Sequence, residues 1–516
     1  MAVTSTQRPG LLCARGPSRL HAHSCPSSSP TKPPSGALIL GAGPSGMATA
    51  LILARRGWRD VTVLEQLPAA NTFDVNRAFT YTINLRGQEL TDSLGLTHEL
   101  AKRGLASTEV EFFTLGPGGP VRRASMMGLQ SSKKPAYWIT RRNMNLILYQ
   151  KLENEFLENG SGRVEMVFGV RGARVEREGE GGRIEVIAEG PGGEALRFAP
   201  RLLVAADGAR STVRETLEEW DCRFGMKKLD SGAAGLRFKV LPLRPMFPIG
   251  KGGSGRAEPC AAYMVPGVSR SGQKIRLGIL PTADAEEPRT ANVILRPWHE
   301  FWSLRTGREV FDYLQAAVPQ VSIGDMASME DVEGFAARSG GRFPRPQHAG
   351  AMQHLAGKGE HAQGVVLVGD AAHAFPPDLG QGVNSAFQDV LALDRALQGA
   401  NDDVGKALPV YESTQLANAE ALVRLMVIGA PWQYGQNLFR LKLWGVSVKV
   451  RAALAKALPG IVYPHVRSMV GDPSLSYVEV LRREQRSVAA LGFLGLLALL
   501  LALAVVRLIR ALVAKG

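Results

Sequence analysis

The stretch from Gly36 to Glu65 constrains the fold of this chain more than any other part of the sequence. A short apolar strand, GALIL, runs directly into the turn Gly41-Ala42-Gly43-Pro44-Ser45-Gly46, and an apolar helix follows from Met47 to Arg56. A second strand, VTVL, ends at Glu65, nineteen residues after the last glycine. Glycines allow a tight turn and the close approach of a pyrophosphate, and the acidic residue binds ribose hydroxyls. The pattern predicts a βαβ unit that binds an ADP-ribose moiety, and it leaves open whether the ligand is FAD or NAD.

A second informative stretch contains three polar side chains, Asp370, His373 and Asp378, within nine residues. Metal ligands must converge with a fixed geometry, and neither this spacing nor the pair Pro376-Pro377 supplies one. The four cysteines form no CxxC pattern, so neither a zinc site nor a disulfide framework is indicated. We therefore predict no metal site. A His in such a loop is more typical of packing and hydrogen bonding, and no catalytic side chain is assigned.

The same stretch joins a strand to a helix. The run Gly364 to Val368 has the pattern of a short buried strand, and Val383 to Leu397 has helical periodicity directly after Gly380-Gln381-Gly382. The free N–H groups and partial positive charge of a helix N-terminus favour an anion or an electron-rich carbonyl nearby. This turn therefore predicts a second ligand contact.

A third strand, Leu202 to Ala206, ends in Asp207-Gly208 and continues ARSTVR. Together, GAGPSG, ADGARSTVR and GDAAHAFPPDLGQGVN resemble, in sequence and order, the three signatures of the single-component FAD-dependent aromatic hydroxylases. The resemblance implies bound FAD, NADPH as a transient co-substrate, and a flavin C4a-hydroperoxide that transfers one oxygen atom of O₂ to an electron-rich aromatic substrate. The sequence contains no second dinucleotide fingerprint, which agrees with transient NADPH binding.

The resemblance also implies which residues contact the cofactor. The first loop would hold the ADP part, Asp207-Gly208 would lie near the pyrophosphate and the nicotinamide path, and Asp370 would meet the ribityl chain. The helix that begins near Gly382 would point its N-terminus at the flavin ring. The candidate cofactor-binding residues are Gly41, Gly43, Ser45, Gly46, Glu65, Arg77, Arg141, Asp207, Gly208, Asp370, Gly380, Gly382, Val383 and Asn384.

Within this family, three segments resemble the kynurenine 3-monooxygenases, namely 77–96, 140–145 and 458–470. Those enzymes hold the amino-acid group of their substrate with an arginine, a tyrosine and an asparagine. Here the stretch ASTEVEFF has Val110 where the arginine is expected, Gly429 lies at the asparagine position, and no Tyr occurs in His465-Val466-Arg467. Arg122 or Arg123 is the remaining alternative for the clamp. The departure predicts a ring other than kynurenine.

The expected fold is α/β, with a Rossmann-like FAD-binding domain, an inserted and mostly antiparallel substrate sheet, a helical C-terminal region and a transmembrane helix. We place a discontinuous FAD-binding domain at 36–400, with insertions near 106–138 and 225–340, and the helical region at 401–486. Strand-like runs at Val164 to Val170, Arg183 to Ala188 and Ala234 to Val240 predict the added antiparallel sheet.

The two ends of the chain have unusual compositions. Residues 1–59 contain no Asp or Glu, and 1–35 are rich in Ser, Pro, Arg and His, which predicts an organellar transit segment, plastid rather than mitochondrial outer membrane. A disordered N-terminus is the alternative. Ser487 to Val506 is an uncharged run of twenty residues between arginines, which predicts a single-pass membrane anchor of open orientation. The net charge of +14 is not accompanied by a nucleic-acid-binding motif, so we predict no nucleic-acid partner.

Three functions are compatible with the sequence. The first is a membrane-anchored, FAD- and NADPH-dependent monooxygenase of an aromatic substrate. The second is a hydroxylase or epoxidase of a lipid-soluble quinone-ring precursor or isoprenoid. The third is a flavin-binding membrane protein without turnover. In the first two, the cofactor performs the oxygen chemistry, and the protein has to position the ring and exclude water.

Overall fold

The computed structural model of the protein describes residues 36–70, 72, 80–123, 134–157, 163–177, 182–249, 255–286, 289–357, 362–434 and 437–514. The predicted transit segment and Arg77 lie outside these residues, and the side chain of Arg123 does too. The predictions made for them therefore stay predictions.

A six-stranded sheet forms the centre of the fold. Five of its strands are parallel, and one edge strand pairs antiparallel with its neighbour. In spatial order the strands are Gln353–Ala356, Gln363–Leu367, Leu202–Ala205, Ala37–Leu40, Val61–Glu65 and Val164–Phe168. The three middle strands are buried at every position, which explains why they are written in the sequence as short continuous apolar runs.

The three predicted motifs follow these three neighbouring strands. Ile39 pairs with Val204, and Val204 pairs in turn with Val366. Parallel strands end at the same edge of a sheet, so the turns that follow them meet there. Segments far apart in the sequence are thereby brought to one edge.

A second sheet has seven strands, all antiparallel except for one parallel pair between Phe112–Gly116 and Ala262–Val268. In spatial order they are Gly341–Arg342, Arg237–Leu243, Arg289–Leu295, Lys274–Ile279, Ala262–Val268, Phe112–Gly116 and Gly119–Arg123. One face forms a separate core with the helices Gly307–Ala317 and Met329–Ala337. This is a mostly antiparallel inserted sheet.

The predicted pairing of two strand-like runs is wrong. Val164–Phe168 belongs to the central sheet, where it pairs parallel with Val61–Glu65. Ile184–Glu189 forms its own three-stranded sheet with Arg171–Arg177 and Ala195–Phe198. A local pattern of apolar residues identifies a strand, but the partner of that strand is set by contacts between distant segments.

The other elements surround these sheets. Short strands are Thr80–Ile83, Leu105–Ser107, Ala136–Thr140, Met226–Lys228, Pro248–Ile249, Gly255–Arg256, Gln347–Ala349 and His373–Ala374. The helices before the C-terminal region are Pro44–Arg55, Leu85–Ser93, Thr97–Arg103, Arg141–Leu152, Thr212–Trp220, Gly307–Ala317, Ile323–Met326, Met329–Ala337 and Gly382–Gly399.

The C-terminal region is helical. Its helices are Val404–Gly429, Leu438–Ala457, Val466–Met469 and Tyr477–Val513. The last helix has an 18-residue window of mean hydropathy 2.8 in which no residue is buried, and within the described part of the chain it is the one helix long and apolar enough to cross a membrane.

Arg86 joins this region to the rest of the fold, because its buried guanidinium donates to the carbonyls of Val470 and Leu475 and lies 4.2 Å from the ring of Tyr477.

Candidate cofactor and substrate site

The three glycines of the first turn have different roles: two allow close backbone packing, and the third leaves space in front of the helix. A Cβ on Gly41, which has φ +99°, would lie 2.5 Å from the carbonyl oxygen of Ala206, and a Cβ on Gly46 would lie 1.9 Å from the oxygen of Gly41. Both glycines are therefore required for packing. No described atom lies within 4 Å of the Cβ that Gly43 would carry. Gly43 is also the N-cap of the helix Pro44–Arg55 and makes no side-chain cap, so the N-terminus is left open to a ligand.

Glu65 lies against this turn at the end of its strand. Its Oε2 accepts a hydrogen bond of 2.8 Å from the N–H of Ala42, and its Oε1 accepts one of 2.9 Å from the N–H of Leu67. The carboxylate is half-exposed at the mouth of a cavity. Strand, turn and acid thus have the relation that the sequence predicts.

The cavity beside Glu65 combines apolar and polar groups. Arg141, the first residue of the helix Arg141–Leu152, and Asn145 on the next turn both line it. The Oδ1 atom of Asn145 is buried and has no hydrogen-bond partner among the described residues. A buried acceptor without a partner is costly, and a ligand that donates to it removes that cost. The lining residues are Ala42, Met47, Glu65, Leu67, Ala69, Ala70, Thr72, Arg141, Arg142, Asn145, Met166 and Phe168.

Asp207 follows the middle strand and stabilises a helix start. Its Oδ2 accepts a 2.8 Å hydrogen bond from the N–H of Thr212. Its Oδ1 is buried and has no partner in the described part of the chain, and burial raises the pKa of this carboxyl. Gly208 has φ +86°, a conformation that favours glycine. One oxygen of Asp207 is therefore used by the fold, and the other is buried without a partner among the described residues.

An arginine that the sequence analysis did not single out holds two motifs together. The buried Arg214 donates from Nη1 to the carbonyl of Ala371 at 3.1 Å and to that of Ala209 at 3.4 Å. It thereby links the Asp-Gly motif to the Gly-Asp motif. Its place at the end of ADGARSTVR was the available signal.

The third motif passes directly over the first. Gly369, with φ +60°, would place a Cβ only 3.2 Å from the Oγ of Ser45 and 3.2 Å from the Cβ of Ala386. The next residue, Asp370, is exposed. The structure therefore brings the carboxylate-bearing turn beside the open N-terminus of the first helix.

His373 stabilises the turn at Gly369 through a shared carboxylate. Its Nε2 lies 2.8 Å from Oδ2 of Asp389, and the same oxygen accepts a 2.8 Å hydrogen bond from the N–H of Gly369. Both side chains are buried. Burial disfavours the charged ring, but the Asp389 carboxylate outweighs it and raises the pKa of His373. The prediction that His373 packs and hydrogen-bonds is confirmed. Asp389 was missed, although a carboxylate on the apolar face of a helix is a usable signal.

The start of the helix Gly382–Gly399 is open as well. Its N-cap, Gln381, forms no side-chain cap, and the first backbone bond of the helix runs from the N–H of Ser385 to Gln381. The N–H groups of residues 382–384 therefore precede the helical ladder. No described atom lies within 4 Å of a Cβ placed on Gly380 or on Gly382. These N–H groups can donate to an electron-rich ligand.

The side chain of Asn384 positions this turn. Its Nδ2 donates to the carbonyls of Thr82 and Gly380, both at 2.8 Å, and its Oδ1 accepts from the N–H of Asn84 at 3.0 Å. Because the amide makes three bonds within the protein, what Asn384 retains for a ligand is its backbone N–H. The side chain of Val383 is buried.

Val110 lies in an apolar cluster at one end of the second sheet. It is buried with Trp138 and Ala262, and Phe112 and Leu280 pack against them. Arg122 is exposed and forms a 2.6 Å ion pair with Glu111, so it is already engaged at the surface. Where the sequence comparison expects a clamping arginine, the structure has hydrocarbon.

A buried polar cluster, which the sequence analysis did not identify, lies on the turn that precedes the open helix. Asp378 accepts a 3.3 Å hydrogen bond from Gln433, whose Oε1 accepts one of 2.7 Å from Arg467 and whose carbonyl accepts one of 3.0 Å from Arg276. Burial raises the pKa of Asp378 to about 7, although Tyr434, Arg467 and Gln433 oppose the shift. Burial lowers the pKa of both arginines.

Arg467 and Gly429 occupy positions that the sequence comparison noted. Arg467 belongs to the polar cluster, and a Cβ on Gly429 would lie 2.5 Å from Cδ1 of Leu379, the neighbour of Asp378. Both residues thus reach the turn before the open helix. Among the described residues, no group of three or more His, Cys, Asp or Glu side chains is arranged to hold a metal ion.

These features fit FAD. An extended dinucleotide needs an adenosine cavity, an open helix N-terminus for its pyrophosphate, and donors for its ring carbonyls. The cavity at Glu65, the bare glycine at 43 and the open helix start at 382 supply these in turn. The unpartnered Oδ1 atom of Asn145, which lines this cavity, is a further acceptor that a bound ligand would satisfy.

Comparisons with known proteins agree. Residues 35–307 and 347–425 match the family described as FAD binding domain. The kynurenine 3-monooxygenase of Salinispora arenicola is 27% identical over 461 residues, covering 87% of this chain and 90% of that protein. The violacein synthase of Chromobacterium violaceum is 25% identical over 409 residues, covering 75% and 83%.

Solved structures show the same fold. Aklavinone-11 hydroxylase, in a ternary complex with FAD and aklavinone, has a TM-score of 0.56 at 20% identity and covers 78% of this chain and 69% of that one. Tetracycline destructase Tet(51) has a TM-score of 0.52 at 16% identity, with coverage of 77% and 91%. At such identities the likeness concerns the fold alone. Because the family match spans more than half of the 516 residues, the chain belongs to the FAD binding domain family of FAD-dependent monooxygenases and is an oxidoreductase with FAD as its cofactor.

Proposed function

We propose that the protein uses FAD and NADPH to insert one oxygen atom of O₂ into an aromatic ring. The observation that carries the proposal is the convergence of three ligand-binding turns at the ends of three adjacent parallel strands. Bound FAD would accept the hydride of NADPH and activate O₂. The protein would bind, orient and shield the reactants.

The residues would divide this work along the cofactor. Gly41, Gly43, Ser45 and Gly46 would hold the pyrophosphate side of the ADP moiety, and Glu65 would bind ribose hydroxyls. Asp207-Gly208 would lie near the pyrophosphate and the nicotinamide path. Arg141 would line the adenosine cavity, which it already borders.

The ring end would be held by backbone. Asp370 would contact the ribityl chain, and the N–H groups at Gly382, Val383 and Asn384 would face the ring carbonyls after the bend at Gly380. The helix dipole adds a partial positive charge at this end, which stabilises negative charge that develops on reduction. These donors are fixed before the reaction, since Asn384 and Asp389 already hold the turns in place.

We propose that the substrate is a ring without an amino-acid group. Burying a carboxylate without a charged partner costs roughly several kcal/mol. The apolar cluster around Val110 therefore disfavours a substrate that carries a carboxylate. Arg467 already donates to Gln433, which in turn donates to Asp378, so this arginine is engaged within the protein.

A second candidate is a lipid-soluble ring, which one observation favours. The hydroxyl of Tyr477, the first residue of the long apolar helix, donates to Oε1 of Gln381 at 3.1 Å, and Gln381 is the residue that precedes the open helix. The helix that we propose as a membrane anchor therefore begins at the ring-binding turn. A substrate dissolved in the bilayer would be close to the site.

The anchor itself is part of the proposal. Full-length protein should pellet with membranes and stay there in high salt and in carbonate, because the apolar run, unlike a charge contact, is not screened. Release by salt would contradict a spanning helix at 487–506. The supporting observation is the fully exposed apolar window of this helix.

One experiment separates the three functions. Membrane-reconstituted protein with FAD is mixed with NADPH and a panel of rings graded in polarity, and both NADPH oxidation and ¹⁸O incorporation from ¹⁸O₂ are followed. Stimulated oxidation with label in a polar ring supports the first function, and label only in apolar rings supports the second. No stimulation by any ring would favour a protein that binds flavin without turnover.

A further inference from the structure

The helix Leu438–Ala457 exposes an apolar stripe. Phe439, Leu443, Val446 and Val450 are 71%, 54%, 59% and 52% exposed. They are spaced by four, three and four residues, so they lie on one face. Large aliphatic and aromatic side chains in such a row are unusual for a surface in contact with water.

A neighbouring face of this helix attaches it to the rest of the fold. Arg451 is buried and donates to Glu484 at 2.6 Å and to the carbonyl of Tyr463 at 2.9 Å. The ring of Trp444 lies 5.5 Å from that of His465. The helix therefore cannot turn its apolar stripe inward without breaking a buried ion pair, which is strongly destabilising.

The stripe has a charged border. Lys442, Lys449 and Lys456 recur at seven-residue intervals and are all exposed, so they form a row along one side of the stripe. An apolar face bordered by lysines is the pattern of a helix in the interfacial plane of a bilayer, with ammonium groups at anionic phosphates. Among the described residues, only Tyr477–Val513 is long and apolar enough to cross a membrane, so Leu438–Ala457 is not a candidate for a transmembrane helix.

The helix Leu438–Ala457 is also bonded to the segment that immediately precedes the apolar run 487–506. Glu484, its ion-pair partner, lies three residues before Ser487, and Ser487 Oγ accepts a 2.7 Å hydrogen bond from the N–H of Tyr463. Ile461 is exposed nearby in sequence. The C-terminal part of the stripe helix is thus fixed to the segment at which the apolar run begins.

We infer that residues 438–457 form a second membrane contact, lying in the headgroup and upper acyl region of an anionic bilayer. The stripe Phe439, Leu443, Val446 and Val450 enters the lipid, and the three lysines bind phosphates. This inference rests on the proposed anchor for its geometry. The two contacts would fix the orientation of the catalytic part above the membrane.

The test uses the full-length protein in phosphatidylserine-containing vesicles, with all four cysteines replaced and one environment-sensitive NBD label at a time. Val446→Cys probes the stripe, and Phe493→Cys probes the anchor. Arg308→Cys, at an exposed position of the helix Gly307–Ala317, is the aqueous control. Lipids brominated near the carbonyl or deep in the chain then report depth by quenching.

We expect a blue shift at both 446 and 493, with shallow quenching at 446 and deep quenching at 493, and no change at 308. Lys442→Gln with Lys449→Gln and Lys456→Gln should reduce the quenching at 446 and leave that at 493 unchanged. A label at 446 that stays aqueous while 493 is quenched overturns this inference and leaves the anchor intact. An aqueous 493 with a quenched 446 contradicts the anchor but supports the interfacial helix. A blue shift at 446 without lipid quenching would mean that a second copy covers the stripe, which also overturns the inference.

Discussion

The two ends of the proposed active site are built differently. The cofactor end consists of three turns, each following a buried parallel strand, and its contacts are offered largely by backbone N–H groups at Gly43 and at residues 382–384. The proposed substrate end would depend on side chains from distant segments, such as Val110, Arg276 and Asp378. Backbone recognition requires glycines at fixed intervals and therefore leaves a motif. Side-chain recognition leaves no motif and can change one residue at a time.

This difference also separates the energetics of the two ends. The cofactor end holds unsatisfied donors and acceptors that a ligand would complete. The proposed substrate end would include the apolar cluster around Val110 and the buried polar cluster around Asp378, a carboxyl whose pKa burial raises to about 7. Changes at the first end should act on FAD, and changes at the second should act on pH dependence and substrate choice.

The largest effect is expected at Gly43. Gly43→Val should abolish FAD binding, because its side chain would extend from the open helix N-terminus into the place of the pyrophosphate, while no described atom obstructs it in the protein itself. The measurement is flavin content after purification, with circular dichroism as the test of folding. Gly399→Ala, at a helix end where a Cβ is also unobstructed, is the matched control and should purify yellow. A yellow Gly43→Val protein would remove the basis for the comparison.

The next effect concerns Asp378, whose folded pKa of about 7 lies above the ordinary value of 3.8. Below pH 3.8 both folded and unfolded chains hold the proton, and between 3.8 and 7 only the folded chain does, so stability falls as pH rises through this window. The loss is at most roughly 4 kcal/mol, at about 1.36 kcal/mol for each pKa unit.

Asp378→Asn carries no such proton and should lose that pH dependence. Thermal unfolding of detergent-solubilised protein at several pH values between 4.5 and 8 measures it, with the exposed Asp312→Asn as control. We expect the stability of Asp378→Asn relative to the parent to increase with pH, and that of Asp312→Asn to stay flat. Parallel curves for all three proteins would mean that Asp378 is ionised throughout.

The third effect is substrate choice. Kynurenine should accelerate flavin reduction poorly compared with 2-aminoacetophenone, the corresponding aniline ketone without a carboxylate. Loss of one charge-assisted contact is worth roughly 2–4 kcal/mol, or about thirty- to a thousandfold in affinity. Stopped-flow reduction by NADPH at equal concentrations measures the ratio.

Arg122→Gln should leave that ratio unchanged, because Arg122 is paired with Glu111 at the surface. If kynurenine instead accelerates reduction at micromolar levels and yields the 3-hydroxy product, the interpretation of Val110 is wrong. Arg467→Gln would then test whether the polar cluster supplies the missing clamp.

The smallest effect is expected at Glu65. Glu65→Ala removes an acceptor for ribose hydroxyls and should weaken FAD binding by roughly 1–3 kcal/mol, and Glu65→Gln should weaken it less because one acceptor oxygen remains. Fluorescence titration of the apoprotein measures both. Equal FAD retention in Glu65→Ala and Gly43→Val would contradict our placement of the fingerprint.

The sequence predicted the elements around each motif closely. The strand after Gly36, the helix now seen at Pro44–Arg55 and the helix at Gly382–Gly399 were expected within a few residues, because their apolar periods and glycine turns are local signals. The partner of Val164–Phe168 was not predictable, since a strand carries no local record of its neighbour. Asp389 and Arg214 each had a local signal, but their partners, His373 and Ala371, became visible only in the folded structure.

By itself, the sequence determined the order of strand, turn and helix, the family, and the cofactor, because a dinucleotide bound by backbone demands glycines at set positions along the chain. Only the tertiary structure decided that the three turns share one sheet edge, that His373 is held by Asp389, and that Asp378 and Arg467 both bond to Gln433 in one buried polar cluster. Those arrangements depend on burial and on contacts between segments far apart in the chain, and both exist only after the chain has folded.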